Sequence, residues 1–444
     1  MLKNRLPKQP SYGQTMKKPV YIIDASRTPF LKAQSKLGPG PFSASELAVQ
    51  TGKNLLLRQE ITSSNIDEVI IGCAIPSVNE VNIARVISLR MGCDEKIPAW
   101  TVMRNCASGM QALSSASDSI QLGRSDIVIA GGTEALSHSP LLFSTEATRW
   151  FTKFSTSKDI KSRIHELLKF RPRLLMPIIG ILKGLTDSTI GLNMGQTAEN
   201  LATRFSISRT EADKYSLRSH KNSVAYEKQI HSKQITSVYG SDGSFFNKDD
   251  GVRSTLEISN LKKLKPVFDR PDGTVTAGNS SQVTDGACLF ILASEKAVKN
   301  FNLKPIGVIT DENWAGLNPA EMGLGPIHAF LPIMTRNKIN KSSIDIWEIN
   351  EAFASQVLAC QAALNDEVYC KSHLGLKEKF GSIDYQKLNV AGGAISLGHP
   401  VGASGARIVL NALQLLKDKK GSKAMASICI GGGQGGAMLI ESYK

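Results

Sequence analysis

The chain has 444 residues, and 53 Lys plus Arg against 39 Asp plus Glu give a formal charge of +14. That length points to two or three domains or one large two-part fold. With 41% apolar and 21% charged residues the composition is ordinary globular, which excludes disorder, a collagen-like repeat and a disulfide mini-scaffold. No apolar run approaches the roughly 18–20 residues a spanning helix needs, so the charge must answer to nucleic acid, acidic metabolites or a membrane surface.

Seven Cys are scattered without a C-x-x-C pair. This favours a reducing compartment over a zinc ribbon or redox motif. The bacterial cytoplasm is the expected location, with a mitochondrial one as the alternative. Residues 1–18 hold five basic and no acidic side chains. They lack an apolar face, which reads as a basic tail more than a transit peptide.

Val20-Tyr21-Ile22-Ile23-Asp24 opens the folded part as a β-rich run closed by polar residues and Pro29. EVIIGC from Glu68 and DIVIA from Asp126 read as buried strands. Helical spacing lies between them near 81–91 and 107–122, so strands alternate with helices in an α/β order. The order then recurs. Ile66-Asp67 before EVIIGC is echoed by Ile344-Asp345 before IWEI, and DIVIAGGTEAL by MASICIGGGQGGAM from Met425. Two diverged copies of one α/β unit account for most of the chain.

A region of different character, 134–265, separates the copies. Its stretch 149–183 has nine Lys or Arg against Asp159 and Glu166. Apolar residues are interleaved there, and Pro172 and Pro177 predict short, broken helices. A basic amphipathic element at 163–185 fits docking to an anionic membrane or a partner groove. The other reading is a cover whose apolar face packs on the core.

Four segments carry reactive side chains. Cys106, in Asn105-Cys106-Ala107-Ser108-Gly109-Met110, sits between a strand and a helix. A helix N-terminus lowers a thiol pKa and makes a nucleophile, although free Cys is often only a buried residue. His399, in Gly392-Gly393-Ala394-Ile395-Ser396-Leu397-Gly398-His399-Pro400, falls at the matching turn of the second copy. It reads as a base converging on Cys106 or as a structural His. Cys429 ends a strand before Gly431-Gly432-Gly433. It is a second thiol able to act as acid or base, beside glycines whose N–H groups suit an oxyanion hole. The G-x-G-x-x-G match at 431–436 is spurious, since no helix follows and no acidic residue stands about 20 positions on. Asn350, in Glu348-Ile349-Asn350-Glu351-Ala352-Phe353, is an oxyanion donor or a helix N-cap.

Together NCASGM, NEAF, GGAISLGHPVGASGAR and CIGGGQGG resemble the thiolase family in the same order, from about Val20 onward. The segment from Gly273 to Ser281 and Asp285-Gly286-Ala287 add a fifth likeness. The resemblance implies a duplicated α-β-α-β-α five-layer fold with an inserted loop subdomain. Its divisions would be 19–133 plus 266–295, the insertion 134–265, and 296–444. It implies Cys106 as acylated nucleophile, His399 as its activator and Cys429 as acid/base. Asn350, through a water, and His399 would form one oxyanion hole, and the N–H groups of Cys106 and Gly431 the other. Ser281 would meet the pantetheine arm of coenzyme A, and Met194 would lie near substrate. Coenzyme A and acyl-CoA are then substrates, with no tightly bound cofactor and no metal. A homodimer or dimer of dimers, a hydratase/dehydrogenase subunit and peripheral membrane contact are the partners implied; nucleic acid is not.

The expected activity is 3-ketoacyl-CoA thiolysis in fatty acid β-oxidation. The alternatives are acetoacetyl-CoA thiolase, a ketoacyl synthase and a non-catalytic lipid carrier or scaffold. Two positions depart from subgroups of the family. Asn193 stands where many short-chain biosynthetic thiolases have His. Asn350 stands where subunits of fatty-acid oxidation complexes often have His, although the 163–185 insertion looks like theirs.

Overall fold

The computed structural model describes residues 18–33 and 40–443; nearly all of the basic tail lies outside the described residues. The first half runs β1 (Val20–Arg27), α1 (Ala44–Leu57), β2 (Glu68–Gly72), α2 (Ile83–Met91), β3 (Ala99–Val102), α3 (Ser108–Gln121) and β4 (Ile127–Ala135). A largely helical excursion follows, including α4 (Thr145–Thr156), α5 (Ile160–Leu168), α6 (Met194–Arg204) and α7 (Arg209–Ala225), before β5 (Thr284–Ala293). The second half runs β6 (Gly307–Gly316), α8 (Gly325–Arg336), β7 (Ile346–Ile349), α9 (Ala354–Asn365), α10 (Val401–Lys419), β8 (Lys423–Ile430) and β9 (Gln434–Ser442).

These strands form one twisted sheet in the order β7-β8-β9-β6-β1-β5-β4-β2-β3, and Leu31–Lys32 adds to β5. The two halves repeat each other. β2 runs parallel to β4, and β7 to β8. β5 lies antiparallel between β4 and β1, as β9 does between β8 and β6. The place of β3 is taken in the second half by Leu388, which bridges Trp347 in parallel. The halves join where Val20–Ile22 of β1 runs antiparallel to Gly307–Ile309 of β6.

The echoed Ile-Asp pairs have a physical cause. Asp67 accepts the N–H groups of Asp126 and Ile127 at 2.7 and 2.8 Å, which fixes the start of β4. Asp345 accepts those of Ser422 and Lys423 at 2.7 and 3.2 Å, which fixes the start of β8. A second pair marks a shared bulge. β1 slips register at Ile22/Asp24 and β6 at Ile309/Asp311. Each bulge Asp accepts the next residue's N–H and an Arg from a helix end: Arg58 at 3.1 Å for Asp24, Arg336 at 2.8 Å for Asp311.

Strand side chains alternate between layers, as the two-residue period requires. Cys288, Phe290 and Leu292 of β5 enter the central core, whereas Leu289 and Ile291 enter an outer one. The central core lies around α3 and α10; α1 and α2 cover one sheet half, and α8 and α9 the other. The result is five layers, α-β-α-β-α. Strands buried on both faces read as continuous apolar runs, and each fully buried Ile, Leu or Phe contributes about 1.5–3 kcal/mol.

Within the central layer α3 and α10 cross with almost nothing between them. A Cβ on Gly132 would stand 2.0 Å from the Gly402 carbonyl oxygen, and one on Gly109 would stand 2.7 Å from it. A Cβ on Gly405 would stand 2.8 Å from the Met110 nitrogen. Glycine is needed here for close approach, not for backbone freedom. The turns entering both helices are thereby pressed together.

The excursion between β4 and β5 is of two kinds. α6 and α7 pack on the second half. α4 and α5 stand outward, held by stacking of Trp150 with Phe151, Phe154 and Phe170. Ile164, Leu168, Leu175, Met176 and Leu182 are exposed, whereas Leu174 is buried and Phe170, Ile178 and Ile181 are half-buried, so the 163–185 stretch packs inward in part and leaves much of its apolar surface outward. Among the described residues no helix is long and apolar enough to cross a membrane.

Candidate active site

Cys106 lies in a tight turn, Asn105–Ala107, immediately before α3. Asn105 adopts φ 44°, and its Nδ2 donates to the Gly431 carbonyl at 2.8 Å, tying the turn to the end of β8. The Ser108 hydroxyl closes the turn by donating to Asn105 O at 2.7 Å. The half-buried thiol accepts hydrogen bonds from the N–H groups of Gly431 and Cys106.

The thiol pKa runs against the expectation. Burial pushes Cys106 up to about 11, and the two N–H groups offset this only in part. The helix-terminus argument fails because it treats the turn as solvated. Here the thiolate would be desolvated, and desolvation outweighs two backbone dipoles.

His399 lies in the matching turn, immediately before α10. Its Nδ1 is 2.6 Å from the Ser404 hydroxyl, which donates to Pro400 O at 3.0 Å. Ser404 therefore accepts from Nδ1–H, which leaves the Nε2 lone pair free. Burial and then Arg407 pull His399 down to about 4, so its imidazole is neutral at physiological pH.

Cys429 is buried at the end of β8, in a small apolar cluster with Met322 and Ala352, against which Met194 and Phe353 pack. Burial, then the neighbouring Cys106, raise its thiol well above the ordinary range. Gly431 follows in the hairpin to β9, where Gly432 and Gly433 take φ 93° and 74°. Met194 Sδ would lie 3.1 Å from a Cβ on Gly431, so Met194 borders the thiol pair. Asn193 is the N-cap of α6, accepting from Gln196 N–H at 2.9 Å.

Asn350 follows β7 and is completely buried. It is not a helix N-cap: α9 begins at Ala354, after Phe353. Its Oδ1 accepts from Arg407 Nη2 at 3.0 Å, and its Nδ2 finds no partner among the described residues. A buried donor without a partner costs about 1–3 kcal/mol, a cost that a ligand oxygen would relieve. Ser281 is half-buried, and its N–H donates to Ala352 O at 2.9 Å. The next residue, Gln282, accepts the His399 N–H at 2.9 Å. The Ser281 segment therefore bridges the Asn350 and His399 loops.

The structure thus brings Cys106, Cys429, Gly431 and Met194 together, and the Ser281 segment links the loops that carry Asn350 and His399. Sequence reasoning missed the supporting polar groups. Glu134, at the end of β4, accepts the N–H groups of Ala74, Ile75 and Gly402 at 2.9, 3.0 and 2.9 Å, pinning α10 to the first half. Glu351 accepts from Tyr215 at 3.0 Å and Ser219 at 2.7 Å, tying α7 to the Asn350 loop, and from the Ile395 N–H at 3.3 Å, which joins both to the His399 segment. Ser404 and Arg407 stand on the helix just after His399, within a motif already singled out. Among the described residues no cluster of His, Cys, Asp and Glu could hold a metal ion.

The chain matches the family models described as "Thiolase, N-terminal domain" over residues 20–296 and "Thiolase, C-terminal domain" over residues 303–442. It is 33% identical to the mitochondrial trifunctional enzyme subunit beta of Rattus norvegicus, across 97% of this chain and 90% of that protein. Two solved structures are each 33% identical. The human mitochondrial 3-ketoacyl-CoA thiolase in complex with CoA superposes with TM-score 0.82 over 96% of this chain and 98% of that one. The acetyl-CoA acetyltransferase of Bacillus anthracis superposes with TM-score 0.81 over 96% and 99%.

A thiol raised to about 11 beside a neutral imidazole is not a preformed ion pair. Alkylation of Cys106 by iodoacetamide is expected to quicken about tenfold per pH unit from pH 7 to 10, as the thiolate fraction grows. A plateau reached below pH 8 would show a stabilised thiolate and contradict this.

Proposed function

The chain belongs to the thiolase family of acyltransferases, and on that premise we propose that it is a 3-ketoacyl-CoA thiolase working in the degradative direction. The observation that carries the reading is the pair of thiols, half-buried Cys106 and buried Cys429, flanked by N–H donors and a neutral His. Breaking the bond between the second and third carbons of a 3-ketoacyl-CoA needs a soft nucleophile at the ketone. It also needs a place for the resulting enolate.

In this reading His399 Nε2 takes the Cys106 proton as sulfur attacks the ketone carbon. The Gly431 and Cys106 N–H groups, already aimed at the thiol, receive the developing oxyanion. The carbon–carbon bond then breaks and leaves an acyl-Cys106 thioester. The departing enolate is held at its thioester oxygen by His399 and, through a water, by Asn350, whose unpaired Nδ2 supports the assignment. Cys429 protonates the enolate carbon, so acetyl-CoA leaves. Incoming coenzyme A gives its thiol proton to the Cys429 thiolate and attacks the acyl group. As the shortened acyl-CoA departs, the Cys106 sulfur takes back the proton held on His399 Nε2, so both enzyme thiols are restored in a ping-pong sequence. In this reading Ser281 and Met194 border the path of the coenzyme A arm, and the relative solved with CoA supports coenzyme A as a substrate.

Acyl length separates this from the second reading, an acetoacetyl-CoA thiolase, which the likeness to an acetyl-CoA acetyltransferase favours. With coenzyme A present, kcat/KM is expected to be higher for a ten-carbon than for a four-carbon 3-ketoacyl-CoA. Acetyl-CoA release should fall by about 10³-fold or more in Cys106→Ser. A preference for the four-carbon substrate would support the second reading, and release undiminished in Cys106→Ser would sink both.

The outward α4–α5 face is proposed to dock on an anionic membrane surface. It combines the net +7 of residues 149–183 with exposed Ile164, Leu168 and Met176. Basic charge and apolar side chains together suit the interface of an acidic bilayer. Vesicles rich in phosphatidylserine should carry the full-length protein on flotation, and a variant lacking 163–185 should stay behind. Equal flotation of the two would refute the role.

A further inference from the structure

The duplication supplies an internal control for what the fold itself requires. Glu68 pairs with Val128 and Ile346 with Ala424, just after the strand starts that Asp67 and Asp345 clamp. Ile70 is therefore the counterpart of Glu348, and Gly72 of Asn350. On the central helices, Ser114 lies eight residues after Cys106 and Arg407 eight after His399. The first half closes its layer with Ile, Gly and Ser. The second buries Glu348, Asn350 and Arg407 at 0%, 0% and 1% exposure. Charges are costly to take out of water, and apolar replacements are often as stable. The architecture does not demand this polar trio, since its own other half does without it.

The trio has a direction. Arg407 Nη2 donates to Asn350 Oδ1 at 3.0 Å, and Arg407 Nη1 lies 3.6 Å from Glu348 Oε2. Glu348 Oε1 in turn accepts from Asn411 at 2.8 Å. A carboxamide offers two nearly isosteric ends, and a half-turn exchanges donor for acceptor. A guanidinium can only donate, so it admits only the oxygen end and sends Nδ2 the other way.

We propose that Arg407 is a positioning residue for the carbon–carbon cleavage step, fixing which end of the Asn350 carboxamide faces the thiol pocket. The proposal rests on the thiolase reading, in which Asn350 Nδ2 polarises the acetyl-unit carbonyl through a water. Arg407 touches no reacting atom: it orients Asn350, and beyond that it adds only to the burial that keeps His399 neutral.

Arg407→Met removes the donor. Burial already raises Glu348 to about 8, so its carboxyl is largely neutral near pH 7 and no uncompensated anion remains. The experiment is a double-mutant cycle on thiolysis, with kcat normalised to the Cys106 titrated by iodoacetamide. Arg407→Met should lower kcat by about 10²-fold with KM for coenzyme A within about twofold. Arg407→Lys, still a donor, should recover part of the loss, and it carries the cycle should the Met variant not accumulate. In the Asn350→Ala background either change should cost less than about twofold. Losses that multiply there, as for a general structural role, would overturn the proposal. An Asn350→Ala protein as fast as wild type would remove Asn350 from the thiolase reading and the proposal with it. A slow Asn350→Ala beside an unimpaired Arg407→Met would overturn the proposal alone.

Discussion

The site depends on one packing constraint, the contact of α3 with α10 through glycine. Gly109, Gly132, Gly402 and Gly405 let backbone meet backbone where a single Cβ would sit 2.0–2.8 Å from a main-chain atom or its neighbour. Two helices that begin at equivalent points of duplicated halves are thus brought together at their N-termini. Cys106 and His399 both stand two residues before those starts. The approach of these two turns follows from the pseudo-symmetry and needs no separate device, and in the proposed reaction it supplies nucleophile and base. Glu134 locks the arrangement by taking the Gly402 N–H across the junction.

Burial then sets the electrostatics. The same desolvation that lifts Cys106 to about 11 pulls His399 down to about 4. The resting groups are a thiol and a neutral imidazole, and in the proposed reaction the proton moves when sulfur attacks. This suits chemistry whose charge appears on oxygens, first at the ketone and then at the enolate. Fixed N–H dipoles in a dry pocket act strongly on such charge and need no reorganisation. Of the two thiols Cys106 is the more exposed, and Cys429 lies buried behind it.

Much of this was legible in the residues. The paired Ile66-Asp67 and Ile344-Asp345 announce the repeat because each Asp has the same mechanical task, capping a strand start. The register of that repeat placed His399 opposite Cys106. What escaped was everything that acts across the halves. Glu134 meets Gly402 from 268 positions away, and no local pattern marks it. Arg407 and Ser404 were in plain view, but their roles depend on which helix face meets Asn350 and Pro400. The sign of the Cys106 shift was misread for the same reason, since a dipole is local and burial is not. The apolar residues of 163–185 could pack inward or stay outward, and only the coordinates place many of them outside.

The central claim is that Cys106 carries the acyl group between two thiol chemistries. Mixing the protein with 3-ketoacyl-CoA of graded length, without coenzyme A, and quenching in acid should trap that intermediate. Mass spectrometry is predicted to find the shortened acyl mass on the Cys106 peptide, lost on adding coenzyme A and absent from Cys106→Ser. Acyl mass on Cys429 instead, or on neither thiol while acetyl-CoA is still released, would contradict the account.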